Sequence, residues 1–247
     1  MPNQLFISDV HLSGARPRTL AMWQHFIQTK PQAGDSLYIL GDLFDVWVGD
    51  DDDAPLANQV RTALQQLTER GVALYIQQGN RDFLLGKAFV RQVGATLIPD
   101  EYCISVAGNK TLLLHGDILC TNDHAYQKAR KRFRNPVIQW LLLRRSLQAR
   151  RQIAAGYRQQ SRESMVGRSL SEMDACEATI LNFMQRHQVT QMIHGHTHQP
   201  AVHQHILPNG QTGWRCVLDE WHTEYASVWE DDGVNFQCER IGMPAVV

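Results

Sequence analysis

Seven side chains able to bind a metal stand at or just beyond the ends of five short apolar runs. They are Asp9, His11, Asp42, Asn80, His115, His196 and His198, in the strings LFISDVH, LYILGD, LYIQQGN, TLLLHGD and MIHGHTH. Carboxylates, an amide carbonyl and imidazoles, with no thiolate among them, suit divalent ions such as Mn²⁺, Fe²⁺, Zn²⁺ or Co²⁺. Seven donors exceed what one tetrahedral ion takes and suit two ions roughly 3.5–4 Å apart that share a carboxylate. Asp42, midway in the series, is the expected bridge. Asp9, His11 and His198 would complete one centre, and Asn80, His115 and His196 the other. A neutral Asn donor is weak alone but adequate where the bridge already supplies negative charge.

Four or so hydrophobic residues before each donor predict a buried strand, with the donor at its carboxyl end, where open α/β sheets place their ligands. Asp9 to Asp42 is 33 residues, Asp42 to Asn80 is 38 and Asn80 to His115 is 35, each the length of a strand, helix and return. His115 to His196 is 81, and the excess predicts an inserted helical cap over 123–168 within a core made of 1–122 and 169–247. LAMWQHFIQ and VRTALQQLTERG carry helical spacing, the second ending at a glycine suited to a C-cap. After His198, WRCVLDEW, YASVWEDDG and NFQCERI alternate like antiparallel strands closing a second sheet, with Asp231-Asp232-Gly233 as a hairpin turn. No internal repeat or low-complexity linker interrupts the chain.

The 247 residues, 43% of them hydrophobic, suffice for one large α/β domain with an insertion. The five cysteines, Cys103, Cys120, Cys176, Cys216 and Cys238, are scattered without a C-x-x-C, which predicts reduced thiols in a cytoplasmic setting. The sequence runs directly into the first strand pattern, so no signal peptide is expected, and no apolar stretch approaches the ~18 residues needed to cross a bilayer.

Net charge is only −1, yet residues 123–168 hold twelve of the 24 Lys and Arg against two acids, Asp123 and Glu163. Between the basic clusters lies Val137-Ile138-Gln139-Trp140-Leu141-Leu142-Leu143. Apolar area beside cations fits an interfacial helix that meets anionic lipid. A cap helix with its apolar side on the core and its charges in water would read the same way. A nucleic-acid patch is disfavoured because a single Trp140 beside three leucines makes a thin stacking platform. The acidic run Asp50-Asp51-Asp52-Asp53 is expected to be an exposed loop rather than a third metal site.

In order, the motifs are Asp9-Val10-His11, Gly41-Asp42, Gly79-Asn80-Arg81-Asp82, His115 and Gly195-His196-Thr197-His198. They resemble the calcineurin-like metallophosphoesterases, across residues 5–203. The resemblance implies a β-sandwich core flanked by helices, α/β/β/α, with the inserted cap. Longer strings narrow it: Gly41-Asp42-Leu43-Phe44-Asp45-Val46-Trp47, Gly79-Asn80-Arg81-Asp82-Phe83-Leu84 and His194-Gly195-His196-Thr197-His198-Gln199-Pro200-Ala201. With the basic insertion, these are similar to the UDP-2,3-diacylglucosamine pyrophosphohydrolases of lipid A biosynthesis. That family's attributes are then expected here: two Mn²⁺ ions, a UDP-linked diacylated glucosamine lipid as substrate, and peripheral attachment at the cytoplasmic face of the inner membrane. Products would be UMP and 2,3-diacylglucosamine 1-phosphate, formed by water attacking the UMP-side phosphorus. No nucleic-acid partner is expected, and a monomer is.

Two divalent ions lower the pKa of bound water from about 15.7 toward neutrality. The catalytic group is thus expected to comprise Asp42, Asn80, His115 and Arg81, the last neutralising charge on phosphoryl oxygens. Many relatives carry His where Arg81 stands, and a His can protonate an alkoxide leaving group. A sugar phosphate departs as a stable anion and needs little proton assistance, so Arg81 suits pyrophosphate cleavage; a salt bridge to Asp82 or another acid is its structural alternative. By resemblance, substrate contacts fall on Asn80 and Arg81 at the phosphates, His196 near the nucleotide, and Asp123, Ser161 and Arg168 in the cap. Met165 occupies a contact position that is usually an amide. Ser161 could equally cap a helix, and Arg168 could be a solvated charge. His194 is expected to orient a ligand imidazole from behind. A soluble-nucleotide phosphoesterase and a non-catalytic basic scaffold are the rival functions; the apolar block argues against the first and the complete donor set against the second.

Overall fold

The computed structural model describes residues 2–165 and 174–242, with backbone alone for 160–165. All five apolar runs form strands. They are β1 (Gln4–Ile7), β2 (Ser36–Leu40), β3 (Ala73–Gln77), β6 (Asn109–Leu113) and β7 (Gln191–His194). Strands β1, β2 and β3 pair in parallel, as do β6 and β7, so the donor-bearing ends point the same way within each sheet.

Three further pieces complete the first sheet, β4 (Thr96–Leu97), β10 (Tyr225–Asp231) and β11 (Phe236–Gly242), in the order β11-β10-β1-β2-β3-β4. The second sheet adds β5 (Tyr102–Val106), β8 (Ala201–Ile206) and β9 (Thr212–Val217), in the order β5-β6-β7-β9-β8. The expectation that the three carboxyl-terminal segments close the second sheet is therefore corrected. Only WRCVLDEW joins it; β10 and β11 extend the first sheet, with β10 running antiparallel to β1. Strand alternation fits either sheet, and pairing is decided by which edge is open. The segment AVHQHI, not anticipated as a strand, forms β8. The turn after Asp231 is as expected, with Asp232 accepting the Val234 and Asn235 amides.

Alternation sorts the side chains into three cores. Leu5, Ile7, Leu37 and Ile39 pack with Trp23 and Phe26 of α1 (Pro17–Thr29), Leu64 and Leu67 of α2 (Pro55–Glu69) and Phe89 of α3 (Lys87–Gln92). Phe6, Tyr38 and Leu40 face Leu113, Ile193 and Cys216 between the sheets. Leu112, Leu114 and Met192 meet Ile180, Phe183 and Met184 of the helix Glu177–His187, which among the described residues is separated from α3 by three intervening α-helices. Both faces of each central strand are thus buried, which is why these runs read as continuous rather than alternating hydrophobicity. The result is the expected four-layer α/β/β/α order.

The three intervening helices are α4 (His124–Phe133), α5 (Pro136–Leu143) and α6 (Leu147–Met165), and the helix 177–187 becomes α7. They lie in the crossover from β6 to β7. Asp123 accepts the Tyr126 amide and Asn135 the Val137 amide, each capping a helix start. Ion pairs attach them to the core, beside hydrogen bonds from Arg134 to the Gln78 carbonyl and Gln139 to the Phe83 carbonyl and the Phe83–Phe133 ring contact. Arg150 binds Asp51 at 2.5 Å, Arg151 binds Asp52 at 2.5 Å and Asp53 at 2.7 Å, and Arg158 binds Asp45 at 2.5 Å. Arg130 pairs with Asp100 and Asp117, and Arg134 with Asp100. The acidic run is a loop exposed at Asp51 and Asp53, as expected, and it also docks the arginines of α6; Asp50, its first member, accepts the Gly86, Ala88 and Phe89 amides at the start of α3.

Candidate metal centre

Each donor sits on a tight turn at a strand end. Among the described residues seven non-glycine positions have positive φ, and five of them are Asp9, His11, Asp42, His196 and His198, at 51–69°. Left-handed backbone is costly for these residue types and persists where surrounding contacts enforce it. Two glycines make the turns possible. Gly41 has φ +86°, and a Cβ there would lie 2.6 Å from His115 Nδ1. A Cβ on Gly195 would overlap Ser8 Oγ and Asp9 Oδ2, so the turns from β1 and β7 interlock without side-chain space between them.

The seven donors converge on one cage. His198 Nε2 lies 3.3 Å from Asp9 Oδ1 and 3.4 Å from His11 Nε2. On the other side, Asn80 Oδ1 lies 2.9 Å from His115 Nε2 and 3.0 Å from His196 Nδ1. Asp42 stands between them, Oδ2 at 3.9 Å from His11 Nε2 and Oδ1 at 3.8 Å from His115 Nε2. One oxygen toward each half is what a bridge requires. Donor atoms of Asp9, His11 and His198 lie within 4.8 Å of one another, as do those of Asp9, Asp42 and His115. The donor set fits two borderline divalent ions, and the fit rests on these distances together with two imidazole nitrogens aimed at each other.

Outer contacts fix the rings. His115 Nδ1 donates to the Leu40 carbonyl at 2.8 Å, leaving Nε2 turned toward Asn80 and Asp42. His198 Nδ1 lies 3.3 Å from the Glu220 carboxylate. Glu220 was not singled out from sequence; an acid in LDEWHTEY has no motif to mark it. Asp82, fully buried, spends its oxygens on the amides of Gly79 at 2.7 Å, Leu43 at 2.8 Å, Asp42 at 3.3 Å and Phe44 at 3.4 Å, tying the β2 and β3 turns together. That occupation replaces the Arg81–Asp82 salt bridge considered above. Arg81 donates its own amide to Asp42 Oδ1 at 2.7 Å.

The electrostatics are those of a crowded anionic pit. Burial, with Asp82 and Asp9 close by, pushes Asp42 up to about 7 against the pull of His115. Burial opposes charge on Asp9 too, but the His198 hydrogen bond and the neighbouring imidazoles hold it well below the carboxylate range. Burial lowers His11 to about 3 and His196 to about 4, keeping both neutral. His198, despite burial, is raised to about 10 by Asp9 and Glu220.

Asn80 and Arg81 also line a second space. An apolar chamber of about 580 Å³, open mouth included, lies against them between the β2 and β3 turns and α4–α6, walled by Trp47, Leu84, Phe133, Leu142, Ile153 and Tyr157. Leu142 belongs to the apolar block singled out from sequence; Phe133, Ile153 and Tyr157 were not, because at such positions they read equally as core. Asp123 stands at the start of α4 as its cap. Ser161 and Met165 fall on the last turns of α6, where only backbone is described, and Arg168 lies outside the described residues. His194 does not orient a ligand imidazole directly. Its Nδ1 donates to the Gly195 carbonyl at 2.7 Å and its Nε2 accepts from Arg215 at 3.0 Å.

The sandwich with donors gathered at its strand ends defines a two-centre phosphoesterase class, and sequence comparison agrees: the chain belongs to the calcineurin-like phosphoesterase family, whose profile matches residues 3–200. Within that family it is similar to curated enzymes called UDP-2,3-diacylglucosamine hydrolase. It is 46% identical to that of Edwardsiella ictaluri, over 92% of this chain and 88% of the relative. Identity is 44% to the Escherichia coli (strain CFT073) enzyme, over 91% and 93% of the two chains, and 43% to that of Tolumonas auensis, over 93% of each.

Proposed function

We propose that this chain hydrolyses the pyrophosphate bond of UDP-2,3-diacylglucosamine, giving UMP and 2,3-diacylglucosamine 1-phosphate for lipid A biosynthesis. The observation that carries the proposal is the shared wall: Asn80 and Arg81 border both the donor cage and the apolar chamber. A substrate with a charged diphosphate and greasy chains needs those two environments side by side. The naming of relatives 43–46% identical over nine-tenths of the chain supports the same substrate.

Asp9, His11, Asp42 and His198 would hold one divalent ion, and Asp42, Asn80, His115 and His196 the other, with Mn²⁺ as the proposed metal. Such ions supply Lewis acidity toward phosphoryl oxygens and lower the pKa of water. Arg81, permanently charged, reaches into the junction and balances charge growing on the diphosphate. His11 and His196, held neutral by burial, keep their lone pairs available, and Asp9 remains anionic. Phe133, Leu142, Ile153 and Tyr157 exclude water around the acyl chains. Residues 123–168 are read as the substrate cap, with Asp123, Ser161, Met165 and Arg168 as its candidate contacts, on a core of 1–122 and 169–247.

Association with an anionic membrane surface, at the cytoplasmic face of the inner membrane, is proposed from α5. Val137, Trp140, Leu141 and Leu143 are exposed on it, with Arg144 stacked 4.2 Å over the Trp140 ring. No described helix is long and apolar enough to cross a membrane. The test is to incubate the purified protein with Mn²⁺ and UDP-2,3-diacylglucosamine in ¹⁸O-labelled water. UMP carrying the label is expected by mass spectrometry. Label in the sugar phosphate would reverse the direction of attack, and absence of UMP would end the proposal.

A further inference from the structure

On the far side of the β7 turn lies a buried polar group that the proposed reaction does not use. Arg215 on β9 is 5% exposed, His194 at the end of β7 is 0% and His205 on β8 is 6%. Arg215 donates through Nη1 to His194 Nε2 at 3.0 Å and through Nε to His205 Nε2 at 3.3 Å. His205 Nδ1 in turn lies 2.8 Å from Glu177 Oε1. Strand pairing puts Arg215 there, opposite Met192 of β7 and His203 of β8, so its side chain crosses the sheet face beneath α7.

A guanidinium has five donors and no acceptor. A ring nitrogen that meets it must accept, and the proton of a neutral imidazole then sits on the opposite nitrogen. For His194 the opposite nitrogen is Nδ1, which faces the Gly195 carbonyl at 2.7 Å. With Nδ1–H the contact is a hydrogen bond; with Nε2–H it would be two lone pairs in opposition. Gly195 is the residue on which the ligand turn closes. Its carbonyl also accepts the Thr197 amide at 2.8 Å, and its amide donates to the His115 carbonyl at 2.8 Å. The next residue, His196, has left-handed φ of 69° and presents Nδ1 to Asn80. Gly116, beside His115, approaches so closely that a Cβ there would lie 2.6 Å from His194 Nδ1. His194 is therefore wedged between the two turns that carry His115 and His196.

We infer that Arg215 is a positioning residue: as a donor-only partner it fixes His194 as the Nδ1–H tautomer, and that tautomer clamps the Gly195 carbonyl so that His196 keeps its ligand-presenting turn. The inference rests on the two-centre reading of the site, though not on the identity of the substrate. It assigns Arg215 to the centre of Asn80, His115 and His196, and leaves that of Asp9, His11 and His198 untouched.

The test uses the whole chain, metal-free, with Arg215→Met and Arg215→Lys. Long-range ¹⁵N–¹H spectra should show His194 protonated at Nδ1 in the parent and in Arg215→Lys, and mixed or shifted to Nε2 in Arg215→Met. Mn²⁺ titration by calorimetry should show one of two sites weakened about ten- to a hundredfold in Arg215→Met, the usual effect of removing an outer partner, with recovery in Arg215→Lys. An Nε2–H His194 in the parent would overturn the inference before any variant is made, so a misfolded Arg215→Met leaves it decidable. Unchanged tautomer, or Mn²⁺ sites within threefold of the parent, would overturn it as well. Failure of the substrate proposal would alter none of these readouts.

Discussion

Around the donor cage, the fixing contacts are short, buried and made largely to backbone: Asp82 to four amides, His115 to the Leu40 carbonyl, Gly195 to the His115 carbonyl. Across α4–α6 side-chain charge pairs join a few bonds to core carbonyls, and several of the pairs have an exposed member, such as Asp51 at 61% and Asp53 at 74%. Backbone-tied buried turns hold donor atoms to within fractions of an ångström, which two-metal chemistry demands. Surface ion pairs hold a helix in place for about a kcal/mol or less each. The first region is built for precision and the second for docking that can loosen without disturbing the first.

The largest effect should come from the cage. Asp42→Ala removes the group that faces both halves, so turnover of a small soluble diester, bis-p-nitrophenyl phosphate, should fall at least about 10³-fold. Bound metal, read by plasma mass spectrometry, should drop from two ions to one or fewer. Retention of both ions would remove Asp42 from its bridging position and blur the contrast.

Next is Arg150, whose side chain is 4% exposed and binds Asp51 and the Val48 carbonyl. Arg150→Met should loosen α5–α6 by about 1–2 kcal/mol, the range for charge-assisted hydrogen bonds discounted for the exposed partner. Hydrogen exchange should quicken in 136–159 and stay unchanged in β1–β3. Small-diester turnover should hold within twofold while KM for the lipid substrate rises. Uniform acceleration of exchange would mean the helices and the cage unfold as one unit.

Smaller still is the outer face. Replacing Trp140, Leu141 and Leu143 with Ser removes half-exposed apolar area, so about a tenfold loss of binding to anionic phospholipid vesicles is expected by sedimentation. Soluble-diester turnover should not move. Equal binding by the variant would assign the face to packing rather than to lipid.

These two regions were also unequally legible. The cage could be read from sequence because its chemistry restricts residue type: Asp, His and Asn at strand ends have few other reasons to recur at 33–38 residue intervals. The helical insertion could be located by excess length but not understood. Its basic residues were expected to face lipid or water, whereas Arg130, Arg134, Arg150, Arg151 and Arg158 turn inward to acids and Lys128, Lys131, Arg132, Arg144 and Arg145 are exposed. Charge counts carry no direction, and the partner acids lie 13 residues away for Arg130 and Asp117 but 99 away for Arg150 and Asp51. Glu220 and Arg215 were illegible for the same reason, since each acts through one histidine and is placed by strand pairing. The first-sheet position of β10 and β11 depended on which strand edge was left open, which alternation does not encode.

The finest distinction concerns protons. Ligation needs Asp42 charged and His198 neutral, and in the metal-free cage both are biased the other way. Asp42, raised to about 7 by burial and its acidic neighbours, is protonated at pH 6 and largely charged at pH 8. His198, held at about 10 against burial by Asp9 and Glu220, carries its proton at both. His11 and His196, at about 3 and about 4, have none to give. Mn²⁺ binding should therefore expel about one proton more at pH 6 than at pH 8. Because both folded values lie above the unfolded ones, their stabilising contribution is complete at low pH. It is lost as pH rises through 7 for Asp42 and through 10 for His198. The metal-free protein should thus lose thermal stability from pH 5 to 9 relative to the Mn²⁺ form. Calorimetry in buffers of different ionisation enthalpy measures the proton count. Equal release at the two pH values would show that Asp42 is already charged before metal arrives, and Asp42→Asn, which has no proton to lose, should make the counts equal.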